Sequence, residues 1–311
     1  MIRKLFLFVF ALTLCPSLSL LAQDDKDSTY EKGHNYKWSD WENYEWFGWE
    51  FHGQPFIEVN YGLGITKHDK LVSKFAKVGL AEVKLGYATQ DSYYYDEIIE
   101  FHDKYSFGSK FSADLKSSSA ARGEMKSDLW RFGFANRSGY GYKIGDLSIL
   151  LYHGNGFVWS KLDMIDYPAI TYLLTNPPMN IQDARNDTDI LNRFHDAFRF
   201  GTVSEGGIRV EVASFASMDF GYEAAVIFPR HLFWKHLGSL IIEESAIGVL
   251  NHFINEVADS SPYASPVVNF ILKNGLSYAF YSLKKANMNW PFSTEAPLTY
   301  ETFKIGLTFT F

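Results

Sequence analysis

Apolar and polar residues alternate one by one along much of this chain. Over residues 56–66, Ile57, Val59, Tyr61, Leu63 and Ile65 share one parity, and Glu58, Asn60, Gly62, Gly64 and Thr66 share the other. Over residues 105–115, Tyr105, Phe107, Phe111 and Leu115 oppose Ser106, Gly108, Lys110, Ser112 and Asp114. Over residues 218–228, Met218, Phe220, Tyr222, Ala224, Val226 and Phe228 oppose Asp219, Gly221, Glu223, Ala225 and Ile227. At the C-terminus, Phe303, Ile305, Leu307, Phe309 and Phe311 oppose Thr302, Lys304, Gly306, Thr308 and Thr310. A period of two sends alternate side chains to opposite faces of a strand. Shorter alternations at residues 82–87, 130–135 and 208–213 add three strands. An apolar, poorly alternating stretch at residues 147–159 adds an eighth.

What separates a sandwich from a barrel is the character of the polar face. Here it is rich in Gly, Ser, Thr and Ala, with isolated charges of both signs, which suits a narrow enclosed interior. The Phe-, Tyr- and Leu-rich face suits lipid. The expected fold class is therefore an all-β transmembrane antiparallel barrel of about eight strands, with ten or twelve left open. The residues expected to face its lumen are Glu58, Asn60, Glu82, Lys84, Lys110, Asp114, Arg131, Arg137, Arg209, Glu211, Asp219, Glu223 and Lys304. Asn60 aside, these are six acids and six bases. Buried charges persist when paired, so an ion-pair network filling the lumen is the first reading and a solute path the second. Eight strands enclose little more than their own side chains, which argues against an open channel.

The connections sort by length. With both termini on the periplasmic side, Gly145-Asp146 and residues 214–217 become short periplasmic turns, while the inserts at residues 160–204 and 229–298 fall outside the cell. Residues 89–104 make an unusually long periplasmic turn. Helices are expected at residues 187–200, capped by Asp187 or Thr188, at 238–258 and at 267–286, with Pro262 and Pro266 breaking the chain between the last two. The stripes are Ile190, Leu191, Phe194, Ala197 and Phe198 on the first helix, Ile242, Ala246, Val249, Leu250, Phe253, Ile254 and Val257 on the second, and Phe270, Ile271, Ser277, Tyr278 and Tyr281 on the third. Such faces need a partner: each other, the outer leaflet, or the barrel mouth as a lid or plug.

The beginning of the chain differs from the rest. Arg3 and Lys4 precede an apolar run, and the small residue Ala22 precedes an acidic segment, the layout of a secretory signal over residues 1–22. Cys15 follows Leu14, which is not small, so lipidation is not expected. Without residues 1–22 no Cys remains, so disulfides cannot hold the mature chain. The formal charge of −7 becomes −9 when Arg3 and Lys4 go, which argues against a nucleic-acid partner. The 19 Tyr, 27 Phe and eight Trp exceed what a soluble core of this size needs. Many sit in an acidic leader at residues 23–53, with Tyr36, Trp38, Trp41, Tyr44, Trp46, Phe47, Trp49 and Phe51. That leader reads as an interfacial segment, a sugar platform, or packing beneath the barrel mouth. The barrel then occupies residues 54–311. No mature stretch has 18 consecutive apolar residues; the best, from Leu237, is interrupted by Glu243 and Glu244, so no transmembrane helix is expected.

The last nine residues, Phe303-Lys304-Ile305-Gly306-Leu307-Thr308-Phe309-Thr310-Phe311, resemble the C-terminal signature of Gram-negative outer-membrane β-barrel proteins. The resemblance covers this strand in detail and the rest by architecture. It implies an outer-membrane location, lipid and the barrel-assembly machinery as partners, and an assembly role for Phe303, Ile305, Leu307, Phe309 and Phe311. It reaches no functional subfamily.

Candidate chemistry is sparse. Tyr152-His153-Gly154-Asn155-Gly156 is followed by Ser160. Outer-membrane lipid hydrolases place a Ser two residues after the His; here that position is Asn155 and Ser160 is seven residues away, so His153 is a catalytic candidate without a nucleophile at the expected place, read first as a rim histidine in a Gly-rich turn. His231 and His236 are wrongly spaced to share a metal, no phosphate-cradling Gly loop follows a strand, and no metal or cofactor is expected. The resulting expectation is a non-enzymatic outer-membrane barrel with a binding, anchoring or restricted-transport role, its ligand a small solute or a lipid. The alternatives are a lipid-modifying hydrolase with a rim site near His153, and a periplasmic β-rich binding protein.

Overall fold

The computed structural model describes residues 53–94, 97–116, 123–166 and 180–311; the signal segment and all of the aromatic leader but Gly53 lie outside them. Eight strands, β1 (Gln54–Lys67), β2 (Val78–Tyr94), β3 (Ile98–Ser112), β4 (Ser127–Ile144), β5 (Leu147–Met164), β6 (Phe198–Ala213), β7 (Ala216–Ile227) and β8 (Leu298–Thr310), pair antiparallel, each with the next. β8 closes onto β1, with Val59 opposite Leu307. The fold is the closed antiparallel barrel the alternation predicts, with eight strands. Closure leaves no second sheet for a sandwich.

We call the end that carries the start of β1 and the end of β8 the base, and the other the rim. At the base, β4 and β5 join through Gly145-Asp146, where Gly145 adopts φ +64°, a conformation that suits glycine. The long base turn expected at residues 89–104 shrinks, because β2 runs on to Tyr94 and β3 begins at Ile98.

The two faces of the wall differ in chemistry. Ile57, Val59, Leu63, Leu85, Phe132, Phe134, Ile305 and Leu307 are exposed on the outside, while Glu58, Glu82, Lys84, Arg131 and Lys304 are buried inside. β3 departs from the expected pattern. Tyr105, Phe107 and Phe111 turn inward, and Ser106, Gly108 and Lys110 turn outward. Leu115 lies beyond the strand, in a short 3-10 turn at Ala113–Leu115. The rim half of the interior holds Leu80, Phe111, Leu129, Val158, Val203 and Tyr300 as a packed apolar core, and the β3 aromatics supply volume that Ser and Gly could not.

Among the described residues, three helices occupy the rim connections. α1 (Ile181–Leu191) starts earlier than expected, capped by the Asn180 side chain, and ends before the β6 strand into which residues 198–200 have been drawn. Its Leu191, with Phe194 just beyond, is buried in the rim core, so this insert plugs the mouth. Asp187 ties it to the β1–β2 loop by accepting from the Val72 and Ser73 amides at 3.1 and 2.8 Å. α2 (Phe233–Ser260) and α3 (Ser265–Lys284) form a hairpin. Pro262 opens the turn between them, while Pro266 falls within the first turn of α3, where proline is tolerated, and does not break it. The hairpin is neither lid nor plug. α3 lies along the outer surface of β4, β5, β6 and β7.

Candidate functional site

Eleven charged side chains meet inside the barrel at mid-height. Toward the base, Arg137 contacts Glu58, Asp103 and Asp219 at 2.7, 2.8 and 3.4 Å. Arg209 meets Asp103 at 3.1 Å and Asp219 at 2.9 Å. Toward the rim, Lys304 contacts Glu82, Glu205 and Glu223 at 3.0, 2.8 and 2.7 Å. Arg131 reaches Glu82 at 2.8 Å and also pairs with Glu223. Lys84 joins the two layers, 2.8 Å from Glu58 and 3.2 Å from Glu205. Adjacent strands present alternate positions inward, so each charge is set at a height fixed by register: Glu58 opposite Lys84, Arg209 opposite Asp219.

Six acids (Glu58, Glu82, Asp103, Glu205, Asp219, Glu223) face five bases (Lys84, Arg131, Arg137, Arg209, Lys304), a near-neutral set with one formal negative charge left over. Hydroxyl and amide groups add to the contacts: Asn60 donates to Glu58 at 2.8 Å and Thr308 to Asp219 at 2.7 Å. Aromatic faces line the cations, with the Arg137 guanidinium 4.9 Å from the Tyr152 ring and Arg131 4.6 Å from Phe111. An interior void lined by Glu82, Lys84, Tyr105, Gly154, Glu205 and Glu223 measures about 10 Å³, room for about one water molecule. The Phe194 and Leu191 plug sits above, and Ile99, Phe101, Leu150 and Tyr152 cluster toward the base.

Ten of the expected lumen positions lie inside this interior: Glu58, Asn60, Glu82, Lys84, Arg131, Arg137, Arg209, Asp219, Glu223 and Lys304. Glu211 is only half-buried at the base, where it accepts from Gln90. Two positions need correction. Lys110 sits on the outward face of β3, 3.5 Å from Asp128 and over the Trp130 ring, because the β3 aromatics took the inward parity. Asp114 is exposed in the 3-10 turn beyond the strand. Asp103 and Glu205 were missed. Asp103 lay in the segment read as a turn. Glu205 preceded the expected start of its strand, although stepping back by twos from Arg209 reaches it.

A second polar cluster lies outside the wall. His153 is not in a turn but in mid-β5, opposite Ser138 and Gly206, on the outward face. α3 covers it. His153 Nδ1 is 3.1 Å from Asn274 Oδ1, and Ser277 Oγ is 3.4 Å from His153 Nε2. Asn274 also donates to the Tyr152 carbonyl at 3.1 Å. Gly206 permits this approach, since a Cβ there would lie 2.2 Å from Asn274 Oδ1. Ser160, the nearest downstream serine in sequence, is buried on the inward parity and belongs to the other face. Ser277 fell on the expected helix stripe but Asn274 did not, and nothing in the sequence links either to His153. Among the described residues no group of three His, Cys, Asp or Glu could hold a metal ion. On β8, Phe303, Ile305, Leu307 and Phe309 are all exposed on the outer wall, and Phe311 follows at the base.

No known protein-family model matches this chain, and no curated protein matches it in sequence. Among solved structures, Neisserial surface protein A aligns at 8% identity over 83% of this chain and 97% of that one, with a TM-score of 0.40. Ail, the attachment invasion locus protein of Yersinia pestis, aligns at 9% identity over 84% of this chain and 99% of that one, with a TM-score of 0.31, and so does its complex with the heparin analogue sucrose octasulfate. At this level of likeness neither says what this chain does.

Proposed function

We propose that the chain is an integral outer-membrane protein whose barrel is a sealed scaffold with a binding or anchoring role, not a conduit. One observation carries this: the closed wall is apolar outside, while its interior is filled by paired charges and an apolar rim plug. A lipid-facing sheet must close, because each backbone donor and acceptor needs a partner where water is absent. Apolar-out and polar-in alternation then follows from the two solvents. In this reading residues 1–22 direct export, and Phe303, Ile305, Leu307, Phe309 and Phe311 present the assembly signal. Restricted transport would require a path through the ion pairs, and the void there holds about one water.

The test is electrical and electrophoretic. The membrane-fraction protein is expected to shift in gel mobility on heating and to pass no steady current in a planar lipid bilayer. Sustained conductance would overturn the sealed-scaffold reading; a purely soluble protein without a heat shift would overturn the membrane placement.

A second reading, a lipid acyl hydrolase, is favoured by the chain Ser277–His153–Asn274. In that order a serine hydroxyl, an imidazole and an amide carbonyl stand as nucleophile, base and orienting group. The step would be attack of Ser277 Oγ on an ester carbonyl, its proton passing to His153 Nε2 and on to the departing alcohol, with water then releasing the acyl group. A fluorophosphonate probe on the folded barrel should label the wild type and not Ser277→Ala or His153→Ala. Absence of labelling in heat-shifting wild-type protein would refute it.

A further inference from the structure

We propose that α2 and α3 cross the bilayer together as a helical hairpin beside the barrel, with the outer side of α2 against lipid acyl chains. This rests on the membrane placement above. Both ends of the hairpin are at the rim: His236 packs on Phe228 with rings 4.8 Å apart, and Lys285 reaches Glu301 at 2.8 Å. Its bend is at the base, where Tyr142 donates to the Tyr263 carbonyl at 2.7 Å and the Tyr263 hydroxyl donates to Glu97, next to the β2–β3 turn, at 2.6 Å. The hairpin therefore covers the same height as the strands.

Length agrees. The 28 residues of α2 span about 42 Å and the 20 of α3 about 30 Å, against a hydrocarbon core of about 30 Å. α2 is long and apolar enough to cross a membrane, and only 11% of its most apolar window is buried. Ile241 and Phe253 on α2 and Ile271 on α3 are as exposed as Val59 and Leu307 on the strands, and Val249 is exposed as well. They extend the apolar belt of the wall around the hairpin. Phe233 and Trp234 sit exposed at the rim start, where aromatics suit a membrane interface, while Glu256 and Asp259 mark the base end.

Glu243 and Glu244 made the segment look unfit to span, and Glu244 is half-buried. In the structure Glu243 pairs with Lys284 of α3, which relieves the cost of a charge in lipid. The Asn274–His153–Ser277 contacts do the same for the polar groups between helix and wall.

Thiol labelling tests the topology, with Cys15 replaced by Ser so that each introduced cysteine is the sole thiol. Asp69→Cys lies in the rim loop and Ser261→Cys at the bend; both positions are exposed. In intact cells a membrane-impermeant maleimide is expected to label the Asp69→Cys protein and spare the Ser261→Cys protein until the outer membrane is permeabilised. A nitroxide attached to Phe253→Cys in vesicles is expected to be reached by oxygen and shielded from a water-soluble nickel complex. Labelling of both thiols in intact cells, or free nickel access at 253, would overturn the hairpin. Failure to label the Asp69→Cys protein in intact cells would instead overturn the membrane placement beneath it.

Discussion

Arg137 shows what a single inward position does here. Its guanidinium lies within 2.7–3.4 Å of Glu58, Asp103 and Asp219, all buried. The planar fork serves several carboxylates at once, which a lysine ammonium on a flexible stem does less well. Arg137→Met keeps the apolar stem but leaves three carboxylates to Arg209 and Lys84. Removing one partner of a buried ion cluster costs about 3–5 kcal/mol, because the remaining charges stay out of water. Urea unfolding in lipid vesicles, read by the loss of the heat-shifted band, is expected to show that loss for Arg137→Met and a smaller one for Arg137→Lys. A loss below about 1 kcal/mol would mean that water reaches the network and screens it, as it does at surface pairs.

At the scale of elements, the sequence was most legible where the two faces of a strand had unlike company. β1, β7 and β8 read directly, because large apolar residues outside alternate with small or charged ones inside. On β3 the parity is the reverse of the one the pattern suggests. Its inward residues Tyr105, Phe107 and Phe111 are as apolar as any outward set, since they fill the rim core and line the cations, and hydrophobicity alone cannot tell lipid from a packed interior. Asp103 on that inward parity was the available clue, hidden by the reading of its segment as a turn. The first helix ends at Leu191, earlier than its stripe suggests, because residues 194–198 keep a helical spacing of apolar residues while the backbone has already turned toward β6. The hairpin could be read as two helices but not as a wall covering. What holds it there is tertiary: Gly206 admits Asn274, and Asn274 meets His153 from more than a hundred residues earlier in the chain. Both candidate sites inherit this division. The mid-strand charges of the network were visible as isolated ions on a polar face; the outer cluster required the fold.

For the molecule as a whole, adjacent residues face different solvents, and that contrast is measurable on one strand. Lys304 is buried among Glu82, Glu205 and Glu223, while Ile305, the next residue, is exposed on the outer wall near mid-height, opposite Tyr61 and Phe220. If water bathed the outer wall, Ile305→Arg would cost little, since surface substitutions of this kind usually fall within about 0.5 kcal/mol. In a bilayer the same change places a guanidinium near the midplane and costs about 2–4 kcal/mol, falling to about 0–1 near the interfaces. Val212, exposed on β6 close to the base, supplies the shallow comparison. Unfolding free energies in lipid vesicles are therefore expected to fall by about 2–4 kcal/mol for Ile305→Arg and by under about 1 for Val212→Arg. Equal and small effects at the two positions would mean that no depth gradient exists around the barrel. The apolar belt, the unpierced interior and the hairpin beside the wall would then all need an explanation other than lipid.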